Sequence, residues 1–155
     1  MQTLQEARSR FLDDVLARST RAEAELFEEV LDDLIAWSEQ VEPTLVFAAN
    51  REYDQAVVSF DRASDGQLIW SAYPQSEGQT KLGILTHSEK GVEGGLADWV
   101  REELRKVHHG TMNEEGVFAV RFKSLAEPSA REGVKRVIVR LAEEFPLRQN
   151  VQGQA

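Results

Sequence analysis

Ala56-Val57-Val58-Ser59-Phe60-Asp61-Arg62-Ala63-Ser64-Asp65-Gly66-Gln67-Leu68-Ile69-Trp70-Ser71-Ala72-Tyr73 is the stretch that decides the fold. Two apolar runs flank Asp65-Gly66. Asp-Gly favours the positive φ angles of a tight hairpin turn. In the second run Leu68, Trp70 and Ala72 alternate with Ile69, Ser71 and Tyr73, the period of a strand. The stretch therefore predicts an antiparallel hairpin with strands at 56–61 and 68–73. Working outward, Thr44–Ala49 is a short apolar strand before it. Thr80–His87 is a strand after it, beyond the polar loop Pro74–Gln79. Four strands joined by short loops imply an antiparallel meander.

Helical periods bracket the meander. Leu4, Ala7, Phe11 and Val15 recur at three- and four-residue steps and predict a helix over 3–18. Ser19-Thr20 breaks it, and Thr20 with Glu23 forms a capping box for a second helix running to about Gln40. Leu26, Phe27, Val30, Leu31, Leu34 and Ile35 are its apolar stripe. Pro43 ends the helical pattern. After Gly91, Gly94 and Gly95, residues 95–108 predict a third helix ending at His108-His109-Gly110. Val117–Phe122 is a fifth strand. Pro128 opens a last helix, for which Ser129 and Glu132 offer a second capping box, and Pro146 closes it. The expected fold is α+β, order ααββββαβα: an N-terminal helix pair and an antiparallel sheet of about five strands, with helices on one face. One domain is expected over 1–146 and a polar tail over 147–155.

Composition narrows function. The 155 residues carry 27 acids and 18 bases, a net charge of −9. Residues 1–43 hold 11 of the acids and 4 of the bases, so the acidity is concentrated there. A nucleic-acid partner is disfavoured by that field. Cysteine is absent, which excludes disulfides, thiolate nucleophiles and zinc sites that need sulfur. Met1–Glu6 lacks the basic and apolar regions of a signal peptide, and no apolar run spans a bilayer. The expected setting is cytoplasmic, with no membrane partner.

Several residue groups invite a chemical reading, and each has a plainer one. His87, His108 and His109 could serve acid–base chemistry, with Glu102, Glu103 or Tyr73 nearby, but two histidines at a helix end also suit its dipole. Asp61, Glu77 and Lys81 resemble the acids and lysine of a magnesium-dependent nuclease, but no Glu-x-Lys triplet occurs. Gly91-Val92-Glu93-Gly94-Gly95 lacks the Lys-Ser/Thr of a phosphate loop. No Gly-x-Ser-x-Gly is present. Glu28, Glu29, Asp32 and Asp33 share one face of the second helix, where they could coordinate divalent cations, dock a basic partner or simply form a solvated surface. Trp37, Trp70 and Trp99 suit the core. Two of them, exposed and close together, would instead mark an interface, and Trp70 and Trp99 are the binding candidates.

From about Glu25 to Phe145 the chain resembles a small bacterial domain family with no established activity, whose members are described from sequence as predicted transport proteins. The resemblance is carried by the helix opening Glu25-Leu26-Phe27-Glu28-Glu29-Val30 and by Pro43-Thr44 before the Leu45–Asp61 hairpin. It extends to the His108-His109-Gly110-Thr111 loop and the strand–turn–helix of Val117–Glu144. The chain departs from that family in a longer meander at Pro74–Gln79 and a fuller helix at 95–107. The resemblance implies the fold and brings no activity. The function expected is a non-catalytic binding or protein-interaction module whose partner is a protein, including a second copy of itself. No cofactor or metal is expected. The alternatives are a hydrolase or small-molecule-binding enzyme with a histidine–carboxylate site between sheet and third helix, and a chaperone or immunity-type protein covering a basic partner.

Overall fold

The computed structural model describes residues 2–51, 55–107 and 118–147. Element order is α1 Leu4–Arg18, α2 Arg21–Ser38, β1 Leu45–Phe47, β2 Val58–Arg62, β3 Leu68–Tyr73, β4 Lys81–Ile84, α3 Gly94–Val107, β5 Ala119–Arg121 and α4 Pro128–Glu144. The five strands form one antiparallel sheet in chain order. The α+β architecture and its order are those expected from the periodicities.

Register explains the core. Val58, Ala72, Leu82 and Val120 stand side by side across β2, β3, β4 and β5, and Phe47, Phe60, Trp70 and Ile84 form the adjacent row. Phe60 and Trp70 stack at 5.0 Å between ring centroids. This face shares one hydrophobic core with Phe11 and Val15 of α1, Phe27 and Leu34 of α2, Leu104 of α3, and Ile138 and Leu141 of α4. The opposite row, Ser59, Ser71, Gly83 and Ala119, is made of small residues and is also buried. There the Ser59 and Ser71 hydroxyls lie 2.9 Å apart. A side chain at Gly83 would meet Thr86 and Tyr73.

Local chemistry sets the boundaries. Both N-terminal helices open with a full capping box, Thr3 with Glu6 and Thr20 with Glu23. The break at Ser19-Thr20 lets α2 fold back along α1, so that Arg8 meets Glu28 and Asp32. The Ser129–Glu132 box does not form. Pro128 takes the first helical position with Glu127 as the cap, which puts Ser129 inside the helix. β4 is shorter than Thr80–His87 because Leu85 and His87 adopt positive φ, 52° and 69°, and turn the chain out of the sheet. β5 stops before Phe122, which begins a 3₁₀ turn and packs against Phe11 and Phe27. The expected end of the third helix at His108–Gly110, the strand start at Val117 and the tail from 148 onward lie outside the described residues.

The hairpin that decides the fold also ties down the last helix. The Arg62 side chain is 3% exposed and reaches from β2 to the end of α4. It donates to the carbonyls of Ala142 at 3.0 Å, Phe145 at 2.7 Å and Pro146 at 3.0 Å. Helix ends leave such carbonyls without intrahelical partners, and a buried guanidinium satisfies three of them together.

Candidate functional site

The acidic stripe of α2 is assembled as the helical spacing requires, and each of its four carboxylates pairs with a cation of the same chain. Glu28 and Asp32 bind Arg8 of α1 at 2.8 and 2.7 Å. Glu29 and Asp33 bind Arg131 of α4 at 3.0 and 3.5 Å, and Asp33 also binds Lys135 at 2.9 Å. The Asp32 hydrogen bond holds the Arg8 guanidinium further above its already high range. The stripe is a seam joining α1, α2 and α4. Glu28 and Glu29 remain exposed while paired, so the seam lies at the molecular surface.

The histidine–carboxylate arrangement does not assemble among the described residues. His87 is exposed in the turn after β4, and no described residue bonds to it. Glu102 pairs with Arg105 at 2.8 Å and Glu103 with Lys106 at 3.5 Å, each on its own helix. Glu103 also lines a cleft with Ser124, Glu127, Gly133 and Arg136, and among the described residues of its walls there is no histidine. His108 and His109 lie outside the described residues. The nuclease-like trio is likewise dispersed. Asp61 holds Arg51 at 3.0 Å, Lys81 lies over the Tyr73 ring, and Glu77 sits in the 3₁₀ turn Ser76–Gly78. Among the described residues no three His, Asp or Glu side chains gather as a metal site, and no helix is long and apolar enough to cross a membrane.

The tryptophans separate by position. Trp70 is fully buried and donates its indole N–H to Ser38 Oγ at 2.9 Å, so it is a core residue and meets no partner. Trp99 on α3 and Trp37 on α2 are half-buried and flank the outward face of α4. Together with Lys135, Arg136, Val139 and Arg140 they line a shallow groove of about 450 Å³. A cation covers each ring: Arg140 lies 4.4 Å from the Trp99 centroid and Lys135 5.9 Å from that of Trp37.

The groove follows from the pattern of α4. Val134, Val137, Ile138 and Leu141 point into the core. That turns 132, 136, 139, 140 and 143 outward, between the neighbouring helices. Trp37 could be picked out at the edge of the α2 stripe, and Trp99 as a binding candidate. Their meeting across a third helix is a tertiary event that neither local period encodes.

Glu23 makes a separate electrostatic knot. Its carboxylate accepts from Lys123 Nζ at 2.7 Å and from the Thr20 backbone N–H at 2.9 Å. The Lys123 bond, followed by the Thr20 bond, lowers its pKa to about 2. Gly78, at φ 70°, leaves the space that the knot occupies.

Comparison with protein-family models, curated proteins and solved structures finds no match to this chain.

Proposed function

We propose that this chain is a non-catalytic protein-interaction module that docks its partner in the groove between Trp37 and Trp99. The observation that carries this reading is the pair of half-buried tryptophans flanking one exposed helix face, each ring covered by a cation. Tryptophan and arginine are the side chains most enriched where protein partners bury their strongest contacts. The groove walls carry both signs of charge, Lys135, Arg136 and Arg140 against Glu132, Glu143 and Glu144. A partner surface of mixed charge with an apolar centre complements them. The uniformly basic partner suggested by the net charge has less to hold, since the α2 carboxylates already have partners. The reading includes a cytoplasmic setting, which a chain without cysteine suits.

A photo-crosslinking amino acid at Val139, introduced in the cells that make the protein, tests the proposal. A discrete protein adduct is expected, and it disappears when Trp37 and Trp99 are both replaced by alanine. An adduct pattern unchanged by those replacements, or no adduct at all, would defeat it.

A further inference from the structure

The occupant of that groove can be named from the charges left over on α4. Most charged side chains around the groove have partners. Arg140 binds Glu144 at 2.6 Å, Lys135 binds Asp33 at 2.9 Å, and Glu132 approaches Lys135 at 3.9 Å. Two exposed side chains of the groove wall are without a hydrogen bond or ion pair to any described residue: Arg136 and Glu143. They have opposite sign and stand seven residues apart, about 10 Å along the helix, on the same outward stripe.

Two free charges in this arrangement are complementary to their own reversed copy. If a second α4 runs antiparallel across the first, with the two-fold axis passing between Val139 and Arg140, Arg136 of each chain faces Glu143 of the other. The same operation sets Lys135 opposite Glu144. A two-fold interface uses one patch twice, so a single Arg–Glu match supplies two intermolecular pairs. Val139 lies at the centre, and Trp37 and Trp99 contribute apolar area on either side. We propose that the groove is the dimerisation face of this chain, closed by an antiparallel α4–α4′ contact with reciprocal Arg136–Glu143 pairs. The proposal rests on the interaction reading above and names its partner as a second copy. The net charge of −9 on each chain opposes association. The dimer is therefore a weak, concentration-dependent one of the small-interface class.

Charge reversal tests it without disturbing the core, because both side chains are exposed. Sedimentation of the full chain, from about 10 μM to about 1 mM, should show the mass rising from 17.5 kDa toward twice that value. Arg136→Glu and Glu143→Arg alone each place like charges together twice, and each should weaken association about tenfold or more. An equimolar mixture of the two variants restores both pairs in the heterodimer and should regain the wild-type affinity, as should the doubly reversed chain. Circular dichroism confirms that every variant is folded.

A chain that stays monomeric over the whole range overturns the proposal. So does a dimer indifferent to both reversals, or a mixture that gains nothing over its components. The Val139 crosslinker separates this failure from that of the broader reading. If the purified chain is monomeric but the probe captures a different protein in cells through the two tryptophans, the dimer is wrong and the interaction module stands. If the probe captures nothing in either setting, both fall.

Discussion

Arg62 and Asp65 form a buried ion pair at 2.6 Å across the β2–β3 turn, and the same guanidinium holds the last carbonyls of α4. One side chain thereby fastens the hairpin to the helix that follows it by some eighty residues. Replacing Arg62 by Met keeps much of the apolar stem but removes the cation from the Asp65 carboxylate and the donor from three carbonyls. The expected loss is about 3 kcal/mol, the usual cost of breaking a buried pair from one side. Urea denaturation at neutral pH measures it. A loss well under 1 kcal/mol would mean that water replaces the guanidinium without penalty.

Ser38 is fully buried and its hydroxyl is the acceptor for the Trp70 indole. Ser38→Ala should cost about 1–2 kcal/mol, because the buried N–H loses its only fixed acceptor. The change should also blue-shift Trp70 emission, which the Trp37→Phe, Trp99→Phe background isolates. An unchanged midpoint would show that the hydrogen bond contributes little.

Asp33 holds both Arg131 and Lys135, two cations whose side chains are each 11% exposed. Asp33→Asn preserves shape and removes the charge. It should destabilise the fold by about 1–2 kcal/mol, more than a surface pair and less than a fully buried one. The Lys135→Met change should be less harmful in that background than in the wild type, and a double-mutant cycle reads the coupling. Additive losses would contradict the seam.

Glu23 sets a pH dependence whose sign follows from its lowered pKa. The group is at about 2 in the folded chain against an ordinary value of 4.5. Its contribution is present above pH 4.5 and fades as the pH falls from 4.5 toward 2. Glu23→Gln should therefore be less stable than the wild type at pH 7, with the gap closing across that window. Thermal melts at pH 7, 4 and 2 test this. A gap of constant size would show that the carboxylate charge is not what stabilises the cap.

Gly78 adjoins that knot at φ 70°, where a Cβ would run into the Glu23 carboxylate and the Lys123 side chain. Gly78→Ala should cost at least about 1–2 kcal/mol from the backbone angle alone. The Glu23→Gln, Gly78→Ala double variant should lose less than the sum of the two, since both act on the same contact. Calorimetric midpoints of the four proteins decide it.

The sheet was legible because its information is local. Alternation from Leu68 to Tyr73 and the Asp65-Gly66 turn specify a hairpin within one short stretch. The same alternation puts Trp70 on the row of Leu68 and Ala72, so its place in the core was readable as well. The α2 seam was not legible. The partners of Asp33 and Glu29 lie in α4, about a hundred residues away, and no periodicity links them. A row of carboxylates on a helix looks the same whether water or arginine meets it. The start of α4 at Pro128 was legible, but the Ser129–Glu132 box was not excluded by spacing alone: Pro128 takes the first helical position, since its fixed φ already suits the first turn, and leaves Ser129 inside the helix.

Both rims of the sheet, β1 and β5, are only three residues long. Strands this short offer little length on which a neighbouring molecule could extend the ladder or template a growing stack. Short rims of this kind disfavour strand-to-strand accretion, the route toward fibrils.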